Sequence, residues 1–278
     1  MTVNLRENMS IPEVTADRTP QTLPCEDGTV LAYYKTEAGK ASAEEQPALP
    51  GLMFLGGFMS DMTGSKALAL EAFARDRGQA FVRFDYRGHG ASEGKFTDGT
   101  IGTWLADALA VLDNLTEGPQ VIVGSSMGGW IMLLLALARP QRMAGLVGIA
   151  AAPDFTEEII GPRTTDAFRE KMAQDGYILY PSAYSDEPYT ITNELIEEGR
   201  KHLLLKGPIP ITAPVRLLYG MQDNDVPWQM ALRLSELLES RDVELSIVKS
   251  AGHRFSEPAE IDLLLRTVGA LSNPPRAA

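Results

Sequence analysis

Residues 120–138 read QVIVGSSMGGWIMLLLALA, and this stretch decides the fold. Its first four residues, 120–123, form an apolar run of strand length, and 127–138 carries apolar side chains at helical spacing. Between them lies Gly124-Ser125-Ser126-Met127-Gly128, followed by Gly129, a strand-to-helix turn with the pattern Gly-x-Ser-x-Gly. In such an elbow the central residue sits in a strained backbone conformation, and only residues without a side chain fit two positions before and after it. That frame selects Ser126. Centred on Ser125, the flanking positions would be Val123 and Met127, both too bulky.

The same alternation continues outward. Apolar runs of strand length recur at 30–34, 51–56, 80–84, 144–150, 215–219 and 243–248, with helical patterns at 66–75, 104–115, 228–238 and 260–271. Strands alternating with helices predict an α/β fold, a mostly parallel twisted sheet with helices on both faces. Residues 154–210 break the rhythm. They show no strand-like run, contain Pro162, Pro181 and Pro188, and carry helical patterns near 165–172 and 194–205. A segment this long is no ordinary connection, so it is expected to be a small helical cap inserted between strands of a core formed by 22–153 and 211–278. Residues 1–21 are polar, hold Pro12 and Pro20, and are expected to be a flexible leader; 40–50 is expected to be a surface loop.

Composition narrows the function. The 278 residues include 25 Lys and Arg against 37 Asp and Glu, a net charge of -12, which argues against nucleic acid or an anionic membrane as the main partner. Cys25 is the single cysteine and there are three histidines, which leaves no intrachain disulfide and disfavours a zinc cluster. The most apolar stretch, 130–138, is about half of the ~20 residues a membrane span requires. No stable membrane insertion is expected. The opening residues, MTVNLRENMS, carry Glu7 and lack both an apolar core and the Arg-rich character of a transit peptide, so a reducing, cytoplasmic location is expected.

A serine hydroxyl needs a general base, itself held by a third group. Of the histidines, His253 in Ser250-Ala251-Gly252-His253 follows the last strand, where catalytic groups of an open α/β sheet gather, and it completes the chain order Ser, acid, His. His89 lies in a glycine-rich loop and His202 in a helical stretch of the cap; both read as structural. For the acid, the turn Gly220-Met221-Gln222-Asp223-Asn224-Asp225-Val226-Pro227 offers two carboxylates. Asp223 suits a turn leaving the strand end, whereas Asp225 reads as a solvated residue bonding local backbone. The oxyanion of a tetrahedral intermediate needs preorganised donors. The N–H of Met127 at the start of the helix is one candidate, and that of Phe58 in Gly56-Gly57-Phe58-Met59-Ser60 is the other. Four of the eight tyrosines, Tyr177, Tyr180, Tyr184 and Tyr189, fall within the cap. They either pack the cap onto the core or line an acyl pocket, and at least one is expected to do the latter.

These features resemble the α/β-hydrolase superfamily from about residue 28 to 271. The resemblance rests on the diglycine loop, on Asp85-Tyr86-Arg87-Gly88-His89-Gly90-Ala91-Ser92, on the Ser126 elbow, on Asp223 in Gly-x-x-Asp-x-x-Val-Pro, and on His253. Within it, GSKALALEAFA, RFDYRGHGAS, GPQVIVGSSMGGWIMLLLALARP, PIPITAPVRLLYGMQDNDVPW and AGHRF look like segments of mitochondrial acyl-protein thioesterases that also act as acyl-glucuronide esterases. The amino end departs from that group. The resemblance implies a Ser126, Asp223, His253 triad, a structural role for 85–92, and a serine hydrolase of esters or thioesters working through an acyl-enzyme without metal or organic cofactor. The implied substrate is a small acyl ester or thioester, or an acylated protein; the oligomeric state is left open. Dehalogenases and epoxide hydrolases of similar architecture place an aspartate at the elbow, which Ser126 disfavours. A carbon-carbon bond hydrolase, a serine peptidase on the same triad, and a non-catalytic ligand-binding homologue are the alternatives.

Overall fold

A computed structural model describes residues 18–39, 49–180 and 188–273. In chain order the elements are β1 (Gln21–Pro24), β2 (Val30–Thr36), β3 (Gly51–Leu55), α1 (Ser65–Asp76), β4 (Phe81–Phe84), α2 (Ile101–Leu115), β5 (Gln120–Ser125), α3 (Met127–Ala138) and β6 (Met143–Ile149). They continue with α4 (Asp166–Asp175), β7 (Tyr177–Tyr180), β8 (Tyr189–Thr192), α5 (Asn193–Gly199), β9 (Val215–Gly220), α6 (Gln229–Leu237), β10 (Val243–Val248) and α7 (Pro258–Ser272). Eight strands form one sheet in the order β1-β2-β4-β3-β5-β6-β9-β10. The two pairings at the β1 edge, β1 with β2 and β2 with β4, are antiparallel, and every pairing from β4 to β10 is parallel.

Side-chain alternation along the central strand sorts the core into two layers. Val121 and Val123 of β5 pack with Leu70 and Ala74 of α1 and Leu264 and Val268 of α7. Ile122, between them, faces the other way into a layer with Val111 of α2, Ile131 of α3 and Leu234 of α6. Both faces are covered, which is why β3 and β5 are buried at every position instead of alternating. No helix among the described residues is long and apolar enough to cross a membrane.

The expected leader is corrected at its inner end. Residues 1–17 lie outside the described residues, but Arg18 donates to Glu71 and Gln21 pairs with Tyr33 in an edge strand. Four mostly exposed residues ending in Pro24 carry too little apolar character to be read as a strand, and only the partner β2 reveals them. Of the expected surface loop, 40–48 also lies outside the described residues.

The excursion leaves the sheet after β6 and returns before β9, its neighbour in the sheet. Its two roots are tied together by Asp154, whose carboxylate accepts from the N–H groups of Leu204 and Leu205, each at 2.8 Å. Helices α4 and α5 fall on the expected helical patterns, the second ending at Gly199 before a short 3-10 turn, Arg200–His202. The expectation of a cap without strands is wrong. β7 and β8 form an antiparallel hairpin with Tyr177 opposite Thr192 and Tyr180 opposite Tyr189. Two four-residue strands flanking Pro181 and Pro188 are too short for periodicity to register.

Candidate active site

Ser126 stands at the carboxyl end of β5 with φ 55° and ψ -118°, a conformation that L side chains rarely adopt. It is locked there from both sides. Its N–H donates to Ile149 O at 2.9 Å, and its carbonyl accepts from Gly129 at 2.8 Å and Ala152 at 3.0 Å. A Cβ on Gly124 would collide with the backbone of Gly128 and Gly129, and one on Gly128 with the carbonyls of Leu55 and Gly56. The glycine pattern therefore does two jobs: it permits the elbow, and it lets the first turn of α3 press against the end of β3.

Two further loops converge on this point. The loop after β9 carries Asp223 and the loop after β10 carries His253; Gln222 N–H donating to Ala251 O at 2.9 Å ties them together. His253 Nε2 lies 3.1 Å from Ser126 Oγ, and His253 Nδ1 lies 2.8 Å from Asp223 Oδ2. The side chain of Asp223 is fully buried, and its Oδ1 accepts from the N–H groups of Asp225 and Val226, both at 2.8 Å. Of the two carboxylates in the turn, then, Asp223 meets the imidazole, while Asp225 supplies backbone to hold Asp223. Asp223, Asp225 and His253 also form the one group among the described residues whose side chains could converge on a cation, within 4.8 Å. Both oxygens of Asp223 are already engaged in the hydrogen bonds just given.

The loop after β3 brings Phe58 alongside. Gly57 lies against Ser126, since a Cβ there would sit 3.5 Å from Ser126 Cβ. Ser60 donates to Gly57 O from its N–H at 3.2 Å and its Oγ at 2.8 Å, which fixes the peptide plane that carries the Phe58 N–H. No acceptor among the described residues takes that N–H. Met127 opens α3, and the first turn of a helix leaves its N–H groups without intrahelical acceptors. Beneath the loop, Met62 is held at both ends: its N–H donates to Asp85 Oδ1 and its carbonyl accepts from Arg83 Nη1, each at 2.7 Å. Burial pushes the Asp85 carboxyl up to about 6 despite these bonds.

A cleft of about 850 Å³ opens over Ser126 and His253, with Phe58 and Met127 in its wall. The cap closes it from above with Phe155, Ile159, Ile160, Tyr180, Tyr189 and Ile191. The four expected tyrosines thus divide. Tyr180 and Tyr189 line the cleft; Tyr177, at the opposite end of the hairpin and 42% exposed, does not; Tyr184 lies outside the described residues. The Phe58 ring reaches the cap, 5.7 Å from Phe155 and 5.9 Å from Tyr189 between centroids. Sequence reasoning missed Phe155, Ile159 and Ile160, although three large apolar residues at helical spacing within an acidic segment are a usable signal. It also missed Arg163 on the cap, which donates to Asn224 O at 3.0 Å and to Tyr180 Oη at 3.3 Å, joining the cap to the Asp223 turn. His202 stays within the cap, 2.6 Å from Glu198, and its carbonyl accepts from the indole N–H of Trp130.

This sheet order, with a strained serine at the elbow after β5 and an imidazole and carboxylate delivered by the last two strands, defines an α/β hydrolase. A family described as the alpha/beta hydrolase family matches residues 49–262, and the chain belongs to it. It is similar to the mouse palmitoyl-protein thioesterase ABHD10, mitochondrial, with 44% identity over 225 residues, 80% of this chain and 75% of the relative. The human protein of the same name is 38% identical over 266 residues, 91% of this chain and 84% of the relative. The solved structure of mouse alpha/beta hydrolase domain-containing protein 10 matches with a TM-score of 0.82 at 38% identity, covering 91% of this chain and 98% of that one. The chain is an enzyme, a serine hydrolase of ester or thioester bonds, and its substrates are acyl compounds.

These relatives overturn the expected cytoplasmic location, since they are named as mitochondrial proteins. The physical reason for the error is plain. The expectation rested on the composition of the opening residues, which carries no positive sign of any one compartment, and the single cysteine fits any reducing environment.

Proposed function

We propose that the enzyme cleaves long-chain acyl thioesters, including those on acylated proteins, through an acyl-enzyme on Ser126. His253 Nε2 takes the hydroxyl proton as Ser126 Oγ attacks the acyl carbon, and Asp223 holds the ring with its Nδ1–H donating to the carboxylate. The oxyanion of the tetrahedral intermediate accepts from the N–H groups of Phe58 and Met127. Collapse expels the thiolate, which takes the proton from His253 as it leaves. His253 then draws a proton from water, the hydroxide attacks the acyl carbon, and a second collapse returns the proton to Ser126 and frees the carboxylic acid.

The observation that carries this reading is the unbroken line from Asp223 Oδ2 through His253 to Ser126 Oγ, 2.8 Å and 3.1 Å, on the floor of the cleft. Its volume falls within the range of pockets that enclose sizeable organic ligands, roughly 300–1,000 Å³. The cap supplies an apolar roof for an acyl chain, and the names of the relatives supply the palmitoyl thioester as the first substrate to try. The deciding experiment is steady-state turnover of acyl thioesters of graded chain length, alongside the matching oxygen esters. Palmitoyl thioester should outpace its short-chain analogue in kcat/KM, and a fluorophosphonate should label Ser126 and abolish turnover of both. Preference for acetyl over palmitoyl substrates would overturn the assignment of the long-chain class.

A further inference from the structure

His89 lies outside the line of groups that handle the proton, yet it is 4% exposed and polar, and its two ring nitrogens are both spoken for. Its Nδ1 lies 3.2 Å from Arg87 O, which requires the proton on Nδ1. Its Nε2 then bears a lone pair, and the Met59 N–H donates to it at 3.3 Å. Burial lowers the imidazole to about 4, so the ring is a neutral acceptor near pH 7.

The position of that one hydrogen bond gives it a consequence. Phe58 stands between two peptide planes. Ser60 fixes the first, through Gly57 O, and His89 fixes the second, through Met59 N–H. Met59 itself has φ 52°, a strained conformation for a methionine that persists only where surroundings over-determine it. The packing repeats the arrangement: the His89 ring sits edge-on to Phe96 and Trp104, at 5.1 and 5.3 Å, and the Phe58 ring sits against the same two, at 4.8 and 5.9 Å. Backbone and side chain of the loop are thus referred to one imidazole. We propose that His89 is a positioning residue that aims the Phe58 N–H at the oxyanion by clamping Met59. The proposal rests on the assignment of Phe58 as an oxyanion donor.

Three measurements test it. In the wild-type enzyme, 15N NMR should find His89 protonated at Nδ1 and bare at Nε2; a proton on Nε2 overturns the clamp. His89→Phe keeps the ring and removes the acceptor. It should lower kcat about 10- to 100-fold, a large part of what loss of one oxyanion donor costs, with KM changed less than about 2-fold. His89→Gln, which can both accept and donate, should recover most of the loss. A folded His89→Phe enzyme with wild-type kcat, or a folded His89→Gln enzyme as slow as His89→Phe, overturns the proposal; if His89→Phe does not fold, the NMR result and His89→Gln decide. A long-chain alkyl trifluoromethyl ketone, which adds to Ser126 as an oxyanionic hemiketal, separates the two layers of the argument. Failure of the wild-type enzyme to stabilise the adduct removes the oxyanion assignment itself, and His89 with it. Equal stabilisation by wild type and His89→Phe removes only the role of His89, whereas a 10- to 100-fold weaker adduct in the variant supports it.

Discussion

On the sheet side of the cleft, α3 buries ten of its twelve residues; on the cap side, α4 buries only Met172 of its ten. The elbow has no room for a methyl group at Gly124 or Gly128, while the cap is joined to the Asp223 turn by an exposed arginine donating to one carbonyl. The two walls thus differ in how much of each is buried. Close packing transmits any displacement, so it can keep Ser126 and His253 within hydrogen-bond reach against backbone strain. The cap is anchored at its roots by buried Asp154 and by Ile160, Ile191 and Leu195 in the core, but its outer helix α4 and the Arg163 contact are exposed, and exposed polar contacts contribute little each and rearrange readily. We therefore expect the core to set the reaction geometry and the cap to set the choice of substrate.

That expectation is broken most directly at Ser126. Ser126→Ala should cost roughly 10³ to 10⁶ in turnover with the melting temperature unchanged, whereas Ser125→Ala should be mild. Substitution of the acid should follow closely. Asp223→Asn keeps the shape but loses the acceptor that holds the correct imidazole tautomer, so a loss approaching roughly 10⁴ in kcat is expected. Asp225→Asn leaves its backbone N–H on Asp223 and should cost less than about 10-fold. Equal losses at 223 and 225 would mean that the whole turn, and not the buried carboxylate, does the orienting.

Next in size is the response of the core to acid. His89 is lowered to about 4 in the folded enzyme from an ordinary 6.5, so between these values the unfolded chain binds more protons and acidification favours unfolding. Asp85 is raised to about 6 from 3.8, so in its window the folded state binds more and acidification acts the other way. Removing the histidine leaves only the second effect. Denaturant titrations from pH 7 to pH 4 should show wild type losing up to about 3 kcal/mol relative to His89→Gln. Parallel curves for the two proteins would show that the imidazole is not buried in the neutral form.

The smallest effects belong to the cap and sharpen the comparison. Tyr180→Ala and Tyr189→Ala should shift the preferred acyl length while changing the rate of Ser126 labelling by a small fluorophosphonate less than about 3-fold. Tyr177→Ala should leave the chain-length profile of wild type, because that ring faces away from the cleft. Profiles altered by all three alike would place the effect in cap stability and not in pocket shape.

The strained serine of the elbow was legible in the sequence because its constraint is local and steric. Glycines two residues either side of Ser126 are demanded by backbone approaches within the turn and to the adjoining strand, and a pattern over five residues carries that demand. The order of strands and helices was legible for a related reason: residues buried on both faces of a sheet read as continuous apolar runs, whatever their partners. Asp223 over Asp225 was a weighing of turn positions, and the geometry now separates them by which carboxylate reaches the imidazole. The edge strand β1 and the hairpin of the cap were not legible, since four-residue strands acquire their identity from the partner they pair with. For the same reason only the tertiary structure could divide the tyrosines. In a hairpin, the side on which a ring falls is set by pairing register and by the surface the hairpin packs against, and neither is written in the spacing of four tyrosines. His89 makes the point once more. Its segment announced a structural loop, but the atom that its Nε2 accepts from lies thirty residues away, and folding alone brings Met59 to it.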